Sequence, residues 1–489
     1  MDFFERNINE KIKEFDYKII IYFLLTLSIS VCIIKQNNPE LDSFYMAATG
    51  RYIMDNQCIP KTNVFLLDKD LSLTVQQWLF CILCYEVYGH IGIIGSFIYS
   101  YGIFIADLCF LFYLLQKRND KPNENLFAIA SFSVLLAKFI NFRPQTLDLM
   151  VLMILIDTLY EFRFHQNKIR LYIVLPLLSL FTINVHASYW IFNFIFILPF
   201  IFIEHFPFDI KSYFKRNYPI FISMIFMVFI GFLNPCGYKN MLYFKYLFVE
   251  EIKILVGELQ PAYKSYMFAF WVITAISFII YMKKKGVQTV FNGQLRLSLQ
   301  NETPFIYLCL GAIILSFLCI KNLWFLILTG PFLLSDIIQN KRKNDTFSKI
   351  YYMVLAAFTI IVFYLWSVIP TKYIDSSSFP LSAMNYIKEN DIHADRIYSE
   401  YDMGSYLEWL GYQAYIDTRA EMSFKKANGK KDLFHEYIDL RTGDLNISEF
   451  IDKYGFDYFI CYPDTPLTSY LENNNYPLIL ETSSYKFYK

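Results

Sequence analysis

Apolar residues fall along this chain in long runs rather than in alternating or helical stripes. Runs of roughly 17–25 such residues predict membrane-spanning helices, because a backbone in lipid must satisfy its hydrogen bonds within its own segment. Eleven are predicted, several at the short end, at 18–34, 92–115, 126–140, 145–162, 171–185, 189–205, 218–233, 266–282, 304–319, 323–338 and 350–369. The fifth and sixth are parted only by the residues around Asn184 and His186. From residue 371 the pattern changes. It reads helix 380–389, strand 396–401, helix 404–410, strand 413–417, then "FDYFICYP", helix 467–473 and a last strand in "YPLILETSSYKFYK". Strands alternating with helices predict a small α/β domain at 371–489. That domain is able to fold alone or to dock on the loops of the preceding module.

Composition agrees with lipid as the main solvent. Hydrophobic residues make up 55% and charged residues 18% of the 489, below the roughly 25% charge of a soluble protein. Fifty Phe and 39 Tyr bring the aromatics to 19%. Lys+Arg and Asp+Glu balance at 44 each, which excludes a wholesale nucleic-acid binder. Nine scattered Cys do not form a disulfide scaffold. The fold class expected is an α-helical polytopic membrane protein with a small C-terminal extracytoplasmic α/β domain.

Loop charge orients it. Segments such as "KRNDK", "EFRFHQNKIR", "KSYFKR" and "NKRKNDTFSK" are placed inside. With the N-terminus they hold about twenty Lys/Arg in roughly seventy residues, against about ten in roughly a hundred opposite. The N-terminus, 1–17, is therefore cytoplasmic, and 18–370 is the membrane module. The first span reads as an anchor, since no small-residue cleavage site follows it. The outer loop 35–90 carries two amphipathic segments, one after Asp42 and one around Trp78 and Tyr85, that read as interfacial helices.

Chemistry gathers at the outer helix ends. Glu40 and Asp42 sit two residues apart where the chain leaves lipid, a pair suited to general-base work or to a hard cation. The plain alternative is that Asp42 caps the helix that follows. Arg51 lies further along that helix as a phosphate ligand or a snorkelling arginine. Arg143 in "NFRPQT", Asn184 and His186 in "INVHAS", Glu258 in "VGELQP" and Lys321 mark other outer ends. Ionisable groups near membrane depth are costly and default to functional hypotheses, each with a hydrated loop charge as its alternative. Arg143, Lys321 and Arg51 are the cations that would hold a phosphate. In the tail, Asp402 sits between a strand and a helix, and Asp417 and Arg419 end the next predicted strand. Strand ends of an α/β sheet bind ligands. The bland reading is that Asp402 caps the helix and Arg419 pairs with Asp417. Cys81 and Cys84 form a C-x-x-C inside an apolar run and read as helix packing. No zinc-spaced His/Cys cluster and no phosphate-cradling glycine motif occurs.

These features together resemble the GT-C superfamily of integral-membrane glycosyltransferases, which includes protein O-mannosyltransferases, oligosaccharyltransferase catalytic subunits and lipid A aminoarabinose transferases. The motifs "DSFYMAATGRYI", "QCIP", "QQWL", "FRPQ", "VHAS", "LNPCGY", "YDMGSYL" and "IDTR" are similar to those of an uncharacterised bacterial branch, with Gln57 where glycine is usual. The resemblance runs over nearly the whole chain. It implies a plasma-membrane enzyme that moves a sugar from a polyprenyl-phosphate-linked donor to an extracytoplasmic glycan, lipid or protein acceptor, with inversion. It also implies Asp42 as base helped by Glu40, and Arg143 or Lys321 on the departing phosphate. His186, Asn184, Gln77, Trp78, Glu258, Asp402, Asp417 and Arg419 become acceptor or substrate contacts. Some relatives use Mg2+ or Mn2+, which Glu40 and Asp42 would hold, and others use no metal. "YDMG" is similar to the acceptor-reading segment of oligosaccharyltransferases, but Met403 and the missing Trp argue against asparagine-sequon recognition.

Other classes compete. A flippase or transporter for a lipid-linked glycan would use charges at mid-membrane, and Asp107, Asp148 and Asp157 lie inside predicted spans. A polysaccharide polymerase or ligase, or a non-catalytic envelope scaffold, shares the same architecture.

Overall fold

The computed structural model describes residues 40–201, 210–248, 251–252, 256–284, 303–338, 379–392 and 396–489. The predicted N-terminal segment and the first and eleventh spans lie outside them. What is described is mostly helical, with one small sheet near the C-terminus.

The helical module contains α1 (Leu41–Asn56), α2 (Trp78–His90), α3 (Ile93–Arg118), α4 (Pro122–Phe139), α5 (Gln145–His165) and α6 (Lys168–Val185). It continues with α7 (Ile210–Gly231), α8 (Phe268–Lys284), α9 (Thr303–Leu318) and α10 (Gly330–Ile338). Local chemistry sets several of their ends. α4 opens on Pro122, whose missing N–H costs nothing at a first helical turn. α5 carries Asp148 in its first turn and Arg163 and His165 in its last, each sign opposing the helix dipole. Among the described residues, α3 and α6 are long and apolar enough to cross a membrane. Ile320–Leu328 and the following helix, bent by 47°, would together make a third span.

Two expected spans are not continuous helices. Residues 187–201 break into a 3-10 turn (Ala187–Tyr189), Trp190–Ile195 and Leu198–Ile201. The run predicted at 323–338 is a 3-10 stretch, Ile320–Leu328, followed by α10. An apolar run specifies burial, but the break is set by what packs around it.

The tail holds α11 (Leu381–Glu389), β1 (Ile397–Ser399), α12 (Tyr401–Leu410), α13 (Leu433–Thr442), α14 (Ile447–Tyr454), β2 (Tyr458–Cys461), α15 (Pro466–Asn473), β3 (Leu478–Glu481) and β4 (Lys486–Tyr488). The sheet order is β1-β2-β4-β3, with β1 parallel to β2 and the other pairs antiparallel. The predicted strand at 413–417 is absent from this sheet. Ala414 instead bridges to Leu66 of the first outer loop, with Leu67 N–H donating to Ala414 O (2.9 Å) and Ala414 N–H to Phe65 O (3.0 Å).

That bridge shows how the tail sits. One core joins Phe44, Ile53 and Phe80 of the outer loop to Met384, Ile397, Leu407 and Phe487 of the tail. A second joins Leu66 and Leu71 to Tyr398, Ile416 and Phe459. The tail is therefore docked on α1, α2 and the segment between them through shared apolar burial. α1 is buried from Ser43 to Gly50 without interruption, so it is enclosed by protein instead of lying open with one apolar face. Two glycines permit the enclosure. A Cβ on Gly50 would fall 2.0 Å from Cys81 O of α2, and one on Gly404 would fall 1.9 Å from Ile416 O.

Candidate active site

The N-terminus of α1 starts the site. Glu40 occupies the N-cap position in extended conformation, with no side-chain capping bond. Asp42 therefore lies inside the first turn and does not cap the helix as the plain reading expected. Both carboxylates stand at the positive end of the helix dipole, and both point at one guanidinium.

That guanidinium is Arg143, from the turn joining α4 to α5. Its Nη2 lies 2.5 Å from Glu40 Oε1 and 3.2 Å from Asp42 Oδ2. Its Nη1 donates to both oxygens of Glu258, at 3.1 and 3.2 Å. Lys321 Nζ stands 3.6 Å from Glu258 Oε1. Glu258 sits on the 3-10 turn Gly257–Leu259, tied to the Lys321 segment by Ile320 N–H donating to Gln260 O (2.8 Å). Three carboxylates and two cations from four separate stretches thus meet at one point.

Their protonation is divided by surroundings. Burial pushes Glu40 up from the ordinary carboxylate range, Arg143 opposes that, and the Asp42 and Glu258 charges add to the rise. For Glu258, burial is outweighed by Arg143 and Lys321, which hold its carboxyl at about 2. The two carboxylates are thus shifted in opposite directions.

The cluster borders a cavity of about 290 Å³ between the helical module and the tail. The module contributes Asp42, Gln77, Arg143, His186, Glu258 and Lys321 to its lining, and the tail contributes Tyr401, Asp402, Thr418 and Glu421. Asp402 lies in the first turn of α12, where it accepts from Tyr462 Oη (3.0 Å) rather than capping the helix. Burial raises its pKa, and burial likewise raises that of Glu421, which accepts from Tyr243 Oη (2.9 Å). His186 follows α6, with Nδ1 2.5 Å from Asp148 Oδ2 and its ring stacked on Tyr189 at 4.5 Å. Gln77 donates to Tyr45 Oη at 2.7 Å.

Five expected residues are engaged elsewhere. Arg51 donates to Trp409 O (3.0 Å) and Glu408 O (3.1 Å) and lies over the Trp409 ring. It donates to carbonyls of the last turn of α12 and is not among the residues lining the cavity. Trp78 Nε1 donates to Asn184 Oδ1 (2.7 Å), and Asn184 Nδ2 donates to Leu180 O and Leu233 O, so each satisfies the other's buried polar group. Arg419 donates through Nε to Asp417 Oδ2 (2.9 Å) and through Nη2 to Glu408 Oε1 (2.9 Å), stacked 4.8 Å over Tyr45. The pairing of Arg419 with Asp417, the bland expectation, is what the structure holds. Cys81 and Cys84 are buried free thiols.

Sequence reasoning missed Tyr401, Thr418 and Glu421 as cavity walls. It noted Asp148 only as a carboxylate inside a span, because its partner His186 is 38 residues away. Glu40 and Asp42 are the residues that would hold the metal some GT-C proteins carry. Glu40 and Asp42 converge on Arg143 Nη2, where a cation would sit, and no group of three or more metal-ligating side chains occurs among the described residues.

No protein-family model matches the chain, and no curated protein is significantly similar to it in sequence.

Proposed function

We propose that this protein is a membrane glycosyltransferase of GT-C type, which transfers a sugar from a polyprenyl-phosphate-linked donor to an acceptor outside the plasma membrane. On this reading the chain has eleven spans, a cytoplasmic N-terminus and an extracytoplasmic tail. The observation that carries it is the meeting of Asp42 with Arg143 and Lys321 on one cavity roofed by the tail.

The donor phosphate takes the Arg143–Lys321 pole, displacing the Glu258 carboxylate that now neutralises it. Asp42 engages the acceptor hydroxyl as its base, with Glu40 beside it. The hydroxyl oxygen attacks the anomeric carbon from the face opposite the phosphate, giving inversion. The electron pair of the breaking C–O bond leaves on the phosphate oxygen, where the two cations stabilise it. No step runs through a metal.

The test is Asp42→Asn, reconstituted in nanodiscs with a panel of short-chain polyprenyl-phosphate hexoses. Polyprenyl phosphate release should fall about 100-fold or more with an unchanged thermal transition. Wild-type release from the variant removes Asp42 from the chemistry. One observation favours transport instead: Asp107 of α3 is 1% exposed, and neither of its oxygens has a partner among the described residues. Loss of lipid-linked glycan movement in Asp107→Asn, with no transfer by the wild type, would favour that reading.

A further inference from the structure

The cavity has a second group able to handle a proton. His186 is 6% exposed and lines the cavity, while Asp148 behind it is 4% exposed and does not. The Nδ1–Oδ2 separation of 2.5 Å assigns one ring nitrogen to the carboxylate. The other, Nε2, is left for the cavity. Three contacts fix the ring. Tyr189 stacks on it at 4.5 Å, the chain just after it is pinned by Ala187 N–H donating to Gln76 O (3.1 Å), and Ser188 N–H donates to Gln76 Oε1 (3.1 Å). A carboxylate that holds Nδ1–H keeps the lone pair on Nε2 and stabilises the imidazolium formed when that nitrogen is protonated.

Asp42 is differently placed. Its Oδ2 lies 3.2 Å from Arg143 Nη2, so that oxygen already faces a guanidinium.

We infer that the His186–Asp148 dyad is the proton acceptor for the acceptor hydroxyl, with His186 the catalytic base and Asp148 its positioning residue. The inference rests on the transfer reading above and reassigns one role within it. The proton of the acceptor O–H passes to His186 Nε2 as the oxygen bonds the anomeric carbon, and the phosphate departs with the electron pair of the bond that breaks. Asp42 then orients the acceptor by accepting from a neighbouring hydroxyl, and the imidazolium faces Asp148 until bulk water removes the proton. Lys321, whose Nζ lies 6.0 Å from the centre of the Tyr189 ring, remains for the phosphate.

The inference is tested on the full chain in nanodiscs. In 15N-histidine NMR, the signal absent from His186→Gln should show a protonated Nδ1 and a bare Nε2. Asp148→Asn should abolish that tautomer preference. With the polyprenyl-phosphate hexose panel, His186→Gln should lower kcat about 100- to 10,000-fold at unchanged KM. Asp148→Asn should lower kcat by a smaller factor, again at unchanged KM, and both variants should melt as the wild type does. A proton on Nε2 in the wild type, or a wild-type kcat in His186→Gln while Asp42→Asn is inactive, overturns the inference and leaves the transfer reading intact. A wild-type protein that releases no polyprenyl phosphate from any donor, yet shows the bare Nε2, overturns the transfer reading and with it the dyad's role in that reaction.

Discussion

Two cavities of nearly equal size lie toward opposite ends of α5, and their charges are organised differently. On the proposed orientation the outer one, about 290 Å³, begins at Gln145, and the inner one, about 300 Å³, is lined by residues from Met153 to His165. From Gln145 to Glu161 the helix rises roughly 24 Å. At the inner cavity Lys117 pairs with Asp157 (2.6 Å) and with Glu161, and Arg170 also reaches Asp157 (2.5 Å). Its remaining wall is largely apolar, with Leu114, Ile156, Phe164, Phe305 and Phe332. Lining cations and carboxylates there balance, two against two, His165 aside. At the outer cavity four lining carboxylates, Asp42, Glu258, Asp402 and Glu421, face Arg143 and Lys321, His186 aside, and Glu40 joins them on Arg143. Charges that satisfy one another hold helices together. A cavity with more half-buried carboxylates than cations keeps charge that its own walls do not neutralise, and this is why the chemistry is assigned to the outer end.

The contrast can be broken most severely at Arg143. Arg143→Leu should leave three clustered carboxylates without their shared cation, costing about 3–5 kcal/mol and abolishing transfer. Denaturation of the reconstituted variant measures it, and wild-type stability would mean the outer charges are not focused on this residue. Asp157→Asn tests the inner end. It should cost about 2 kcal/mol by leaving Lys117 and Arg170 with a weaker acceptor, while the rate of transfer stays at the wild-type value. An equal fall in rate would erase the functional distinction between the two cavities.

The smallest effect expected is at Glu258. Its folded pKa of about 2 lies below the ordinary 4.5. The stability from its ionised form is therefore fully present above about 4.5 and is lost as pH falls through about 2. Glu258→Gln should cost about 1 kcal/mol at pH 7, given the solvent screening at a side chain one-third exposed. The gap between variant and wild-type melting temperatures should close on acidification. A gap independent of pH would show that Glu258 acts by packing alone.

Much of the architecture was legible along the chain. The apolar runs located α3 to α9 to within a few residues in most cases, because burial in a helical module demands long apolar segments whatever their partners. The alternation after residue 371 located α11, β1, β2 and α15 by the same local logic. Asp42, Arg143, His186, Glu258, Lys321 and Asp402 were found as polar residues at helix ends or at the junction of a strand and a helix. Their convergence was decided in space. Arg143 meets Glu258 across 115 residues, and Arg51, equally plausible by charge, faces carbonyls 357 and 358 residues away. The strand expected at 413–417 became a bridge to the outer loop because that loop offered backbone partners the local pattern could not reveal. Asp148 became half of a dyad only once α5 lay beside the end of α6. Hydrophobic periodicity is a property of neighbours in sequence, whereas the partner of a charge is chosen by whatever the fold brings within a few ångströms. The chain by itself therefore determined its helices and its candidate groups, and the tertiary structure decided which of those groups act together.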